Sequence, residues 1–175
     1  DALGARVGER EALQIFRQLG DRFGEAIGLL HLGQIEAHDE EYLQARSDLQ
    51  DCLTIAREIR HQEVEGECEL VLGEVAFEEG HIEEARRRFN RSATVCIEAA
   101  DKRGEANARW WLAKTDLETG SFDAVGTTLR EVLQSFREFK MQAELLSCLE
   151  DLAALVHHDD AHEVAVRLIA AAALS

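Results

Sequence analysis

The chain has 175 residues and carries 35 acidic against 19 basic side chains, a formal charge of −16. That balance excludes nucleic acid as a partner, because binding there rests on neutralising phosphates with Lys and Arg, and it disfavours an anionic membrane surface for the same reason. The longest apolar run, from Val164 to Leu174, contains Arg167 and falls short of the roughly twenty residues that span a bilayer. Arginine outnumbers lysine and alanine is abundant, a composition typical of a bacterium with a GC-rich genome.

No proline interrupts the chain. Apolar residues recur at three- and four-residue spacing with no strand-like alternation, so every element reads as helix. Residues 1–20 form one helix that ends at Gly20, a residue suited to the left-handed conformation of a helix C-terminus, and Asp21 can cap the next start. Residues 21–60 hold helices over about Arg22 to His38 and Tyr42 to Ile59. Residues 61–100 repeat this with a break at Gly80 and a second helix through Ala85, Phe89 and Ala93. In 101–140 Gly120 breaks and Ser121 caps, and in 141–175 Asp160 with Glu163 forms a capping box.

These forty-residue blocks align without gaps. Leu32, Leu72, Leu112 and Leu152 coincide and are followed by Gly33, Gly73, Ala113 and Ala153. Further along come Tyr42, Ile82, Phe122 and His162, then Ala45, Ala85, Val125 and Ala165, then Leu49, Phe89, Leu129 and Ile169. A fixed period with large and small apolar residues at matched positions is the mark of a stacked-repeat array. The expected fold is all-α, a right-handed superhelical solenoid of antiparallel helix pairs, forming a single array over 1–175. Residues 1–20 align with the second helix of a repeat, so the natural protein is expected to continue upstream. The last helix is apolar nearly all round, with Val164, Leu168 and Ala171 on it, where a terminal repeat normally turns a polar face to water. Further chain after Ser175, or a homodimer contact through this helix, is expected to cover it.

The Leu-Gly pair, the aromatic or aliphatic residue ten positions on, the Ala three later and the large apolar residue four beyond resemble the tetratricopeptide repeat. The match covers nearly the whole chain, in the longer-period variety found in large bacterial regulators. The resemblance implies an interaction scaffold whose inner groove is lined by the first helix of each repeat. Carried onto this sequence, the groove set is Gln34, Glu67, Glu74, Glu78, Asn107, Trp110 and Lys114. The Lys, Arg and Asn set that clamps a peptide's terminal carboxylate is absent, which argues against chaperone-tail binding.

Within that set, Glu67, Glu74 and Glu78 are spaced to share one helix face, and the repeat 61–100 is the most acidic of the four. A basic peptide or basic protein surface would be steered there, or the acids simply form a solvated face. Trp110 and Trp111 are adjacent, about 100 degrees apart on a helix, so at most one points into the groove. Trp110 is read either as an aromatic anchor or as filler between repeats.

The four cysteines, Cys52, Cys68, Cys96 and Cys148, sit at small or apolar positions of helices, the pattern of buried reduced thiols in a cytoplasmic protein rather than of a disulfide frame or metal site. His157, His158, Asp159, Asp160 and His162 have ligand chemistry but belong to an expected turn, and no metal site is assigned. Gly20, Gly24 and Gly28 follow no strand and precede no Lys-Ser/Thr pair, so they cradle no phosphate. No catalytic arrangement and no cofactor motif emerges. The leading expectation is a protein-binding regulatory region of a larger bacterial signalling or transcription protein. The alternative is a sensor that binds a small molecule or short peptide and switches an attached effector domain.

Overall fold

The computed structural model describes residues 2–120 and 122–156, the side chains at positions 2, 3, 5, 122–124 and 152–156 excepted. Those residues are all helix and short turn: α1 (Ala2–Leu19), α2 (Arg22–His38), α3 (Tyr42–Ile59), α4 (Gln62–Glu78), α5 (Ile82–Glu98), α6 (Lys102–Glu118), α7 (Phe122–Glu138) and α8 (Gln142–Val156). The sequence-derived bounds of Arg22 to His38 and Tyr42 to Ile59 are those found. The fold is all-α, with antiparallel helix pairs packed in chain order as in a tetratricopeptide-like helical-repeat solenoid. The Ser121 cap, the Asp160 and Glu163 capping box, the His157 to His162 cluster and the apolar helix bearing Val164, Leu168 and Ala171 lie outside the described residues.

One device sets the period. Every twenty residues a single position takes positive φ: Gly20, Glu40, Arg60, Gly80, Ala100, Gly120 and Lys140. Wherever the next residue is among the described ones, its amide bonds a carbonyl five residues back, as in His61 to Ala56 at 2.9 Å and His81 to Ala76 at 2.8 Å, which closes the helix in a Schellman motif. The residue that closes one helix also opens the next. Asp21 accepts from the Gly24 amide at 2.9 Å, and His61 Nδ1 accepts from the Val64 amide at 3.4 Å.

Left-handed backbone strains an L side chain, so these turns make a paired prediction. Ala100→Gly should stabilise by about 1 kcal/mol and Gly80→Ala should destabilise by about as much, the left-handed penalty being partly offset by glycine's larger unfolded-state entropy. A Cβ at Gly80 meets nothing within 4 Å, so only the backbone speaks. Urea midpoints moving the same way for both variants would contradict this.

First and second helices are buried differently. The first helix α4 buries every residue from Cys68 to Gly73, whereas its partner α5 buries only the stripe Ala85, Phe89, Ser92, Val95 and Cys96. A first helix is enclosed by the second helices on either side, which is why its sequence shows little amphipathic stripe. Close approach within a pair needs a missing side chain. A Cβ at Gly73 would lie 2.5 Å from Phe89 Cε1, and one at Gly33 would lie 2.5 Å from Leu49 Cγ.

The chain forms two compact units, 1–101 and 102–175. In the first, α1 packs on α2, α2 on α3, α3 on α4 and α4 on α5, with α2 also meeting α4. Its core is built from residues such as Leu29, Leu32, Leu49, Leu53, Leu72 and Val75. In the second, α6 packs on α7, α7 on α8 and α6 on α8, around Trp110, Leu129, Leu133, Phe136 and Met141.

One buried charge in the first unit had no signal in the periodicity. Glu36 on α2 is 0% exposed, its Oε1 takes a long 3.4 Å contact from Arg10, and its Oε2 accepts nothing from the described residues. Burial, with Asp48 adding to it, outweighs Arg10 and Arg6 and lifts the carboxyl to about 7. A group held above its unfolded value favours the fold while protonated in it, so stability should fall as pH rises from about 4.5 to about 7. Glu36→Gln should remove that slope: urea midpoints of variant and native protein should lie closest at pH 5 and diverge toward pH 8 with the variant the more stable. A constant offset across that range would refute the assignment.

Candidate functional site

The expected groove residues divide between the two units. In the first, Gln34 on α2 and Glu67 on α4 stand 33 positions apart, yet Gln34 Nε2 donates to Glu67 Oε1 at 2.9 Å where the two first helices meet. Glu67 and Glu78 are exposed, and Glu74 is half-buried.

The acids of α4 sort by face. Glu65 takes Arg57 and Arg91, each at 3.0 Å, and buried Glu69 takes Arg57 at 2.7 Å and Arg88 at 2.9 Å. Glu79, just past the helix, takes Arg46 at 2.5 Å. Burial opposes the charged form of Glu65, but the two guanidiniums outweigh it and hold its carboxyl below the usual range. Residues two apart on a helix point roughly 200 degrees from one another, so Glu65 and Glu69 turn to the arginines of the second helices while Glu67 turns away. Thus the strong field expected around Glu63, Glu65, Glu67, Glu69, Glu74, Glu78 and Glu79 is reduced: Glu65, Glu69 and Glu79 are matched by arginine inside the unit, and the exposed acids among these seven are Glu63, Glu67 and Glu78.

The Arg57 to Glu65 pair repeats an earlier one, Arg17 to Glu25 at 2.9 Å, in the same register of a second helix's end and the next first helix's start. Arg22 also reaches Glu25 at 2.7 Å and pairs with Glu58. These arginines stitch consecutive elements together.

In the second unit the named residues Asn107, Trp110 and Lys114 lie on α6. Trp110 is 7% exposed, edge-on to Phe136 at 5.8 Å between centroids and 5.6 Å from Trp111. Its Nε1 donates to Asp151 Oδ2 on α8 at 2.9 Å, so here too neighbouring first helices are tied by a side-chain hydrogen bond. Lys114 Nζ stands 4.2 Å from the Trp111 ring centroid and 5.2 Å from that of Trp110, within cation–π range of both. Asn107 is half-buried and its Oδ1, buried, accepts no hydrogen bond among the described residues.

Two further residues complete this cluster. Burial pushes the Asp151 carboxyl up against the opposing pull of Lys114 and the Trp110 N–H. Cys148, fully buried, is pushed up to about 12 by burial and by Asp151. Asp151 stands forty residues after Trp111, at the same repeat position, but the pairing with Trp110 joins one position to its neighbour a repeat later, which no single-position alignment displays.

All four cysteines are buried and none is in a disulfide. Among the described residues no group of three His, Cys, Asp or Glu side chains is placed to hold a metal ion, and no helix is long and apolar enough to cross a membrane.

Known proteins fit this geometry. Residues 24–98 match the family model described as tetratricopeptide repeat. The crystal structure of BtubC (BKLC) from P. vanneervenii is similar to this chain at a TM-score of 0.73 and 16% identity, over 96% of this chain and 73% of that one. At that identity the likeness is one of fold. No curated protein sequence matches the chain.

Proposed function

We propose that this tetratricopeptide-repeat chain is a protein-interaction scaffold that holds a peptide or protein segment against its first helices. Tetratricopeptide repeats generally mediate protein–protein interaction, and the observation that carries the reading to a particular face is the sorting of charge on α4. Its second-helix side is matched by arginine, whereas Glu67, bonded to Gln34, and Glu78, at the end of the helix, remain exposed. A basic segment is the chemistry that face complements. The repeat match and the bacterial composition support placing it in the cytoplasm, as the regulatory region of a larger signalling or transcription protein.

A second reading, a sensor for a small molecule or short peptide, is favoured by Asn107. A buried acceptor with no donor costs about 1–3 kcal/mol, which a ligand N–H or O–H beside Trp111 and Lys114 would recover.

The test is affinity capture from a GC-rich bacterial lysate with native protein, a Glu67→Lys/Glu78→Lys variant and a Glu83→Lys/Glu98→Lys control of equal charge. A partner kept by the control and lost by the first variant is expected. Loss from both would reduce the effect to net charge, and retention by both would remove the face from consideration. Native mass spectrometry of the purified protein separates the sensor, which should carry a bound small mass.

A further inference from the structure

Cys52 on α3 and Cys68 on α4 lie 16 positions apart in the chain and on helices packed against each other, with Sγ atoms 2.9 Å apart. Both are 0% exposed. Cys68 donates to Cys52, and Cys52 donates in turn to the Ala26 carbonyl at 3.1 Å.

The repeat architecture does not ask for sulfur at either position. One repeat later Ser92 occupies the place of Cys52 and makes the equivalent bond to the Gly66 carbonyl at 2.8 Å. The place of Cys68 is taken by Gly28 and Ala108 in the flanking repeats. Of the pairs in this register, Ala12 with Gly28, Cys52 with Cys68, Ser92 with Ala108 and Val132 with Cys148, one has a thiol on both sides. Cys96 lies instead against Gly66, where a Cβ would meet its sulfur at 2.9 Å, and Cys148 lies in the second unit.

We propose that Cys52 and Cys68 form a dithiol–disulfide couple that fastens one repeat to the next. The oxidant is a small-molecule disulfide, RSSR. One thiolate attacks it to give a mixed disulfide and RS⁻, and the second thiolate displaces the remaining RS⁻. The two protons released by the cysteines end on the two departing thiolates, so two thiols and one RSSR become one protein disulfide and two RSH. The neighbouring sulfur and burial push the Cys68 thiol well above its ordinary range. Exchange therefore proceeds through opened chain, and the couple responds to redox conditions met during folding.

The test is refolding of the whole chain from urea in glutathione buffers of graded ratio, followed by acid quench, alkylation and peptide mapping. The expected product has lost two hydrogens between Cys52 and Cys68, keeps Cys96 and Cys148 alkylated and retains its helical signal. The effective concentration of the pair should be on the order of 100-fold higher in the folded than in the urea-unfolded chain, the value expected for closing a loop of this length. Cys68→Ala, which copies the residue at position 108, should fold and form no internal bridge. Equal effective concentrations in the two states, a crosslinked form without native helix content, or a bridge through Cys96 or Cys148 would each overturn the proposal.

Discussion

Phe89→Ala is expected to destabilise the first unit by about 3–5 kcal/mol, the largest effect of a single truncation there, since Phe89 is 0% exposed and fills the space Gly73 leaves open. Gly73→Ala should cost about 2 kcal/mol, because a Cβ 2.5 Å from the ring and 3.1 Å from Arg88 Cβ overcomes alanine's better helix propensity. The two effects should not add. The third repeat solves the same contact with Ala113 and Leu129, both buried, so Gly73→Ala combined with Phe89→Leu should be more stable than the sum of the singles predicts by about 1–2 kcal/mol. Urea unfolding of the four proteins followed by circular dichroism measures the coupling. Strict additivity would mean that the glycine is there for a reason other than the ring.

Trp110→Ala should destabilise the second unit by about 3–5 kcal/mol, whereas Trp111→Ala, at a half-buried position, should cost about 1–2 kcal/mol. Trp110 loses its packing on Phe136 and strands Asp151 without its donor, while Trp111 mainly gives up its contact with Lys114. Urea midpoints read by the remaining tryptophan's fluorescence distinguish the two, and equal losses would contradict the burial difference. Trp111→Ala is therefore the aromatic variant suited to binding experiments, because a binding loss in Trp110→Ala would be confounded with damage to the core.

The helices were legible because their forty-residue register is written in large and small apolar residues, Leu72 with Gly73 and Ala85 with Phe89, and burial imposes those choices directly. The turns were only half legible. Gly20, Gly80 and Gly120 announce the left-handed positions, but Glu40, Arg60, Ala100 and Lys140 adopt the same conformation with nothing in their identity to show it. There the Schellman hydrogen bonds and the packing of the flanking helices dictate the backbone.

At the candidate site, the shared face of Glu67, Glu74 and Glu78 followed from helical spacing. The neutralisation of Glu65 and Glu69 did not, because Arg88 and Arg91 come from the next helix and the pairing depends on how second helices pack. Glu36 was hidden for a related reason: a glutamate on a helix enclosed from both sides looks like one on a solvated face until its neighbours are in place.

The most direct test of the scaffold reading is hydrogen exchange, read by mass spectrometry, of the chain alone and with its captured partner. Slowed exchange concentrated in residues 31–38 of α2 and 67–78 of α4, with the exposed sides of α3 and α5 unchanged, is the predicted footprint. Protection confined to α3 and α5 would place the partner on the second helices and contradict the account.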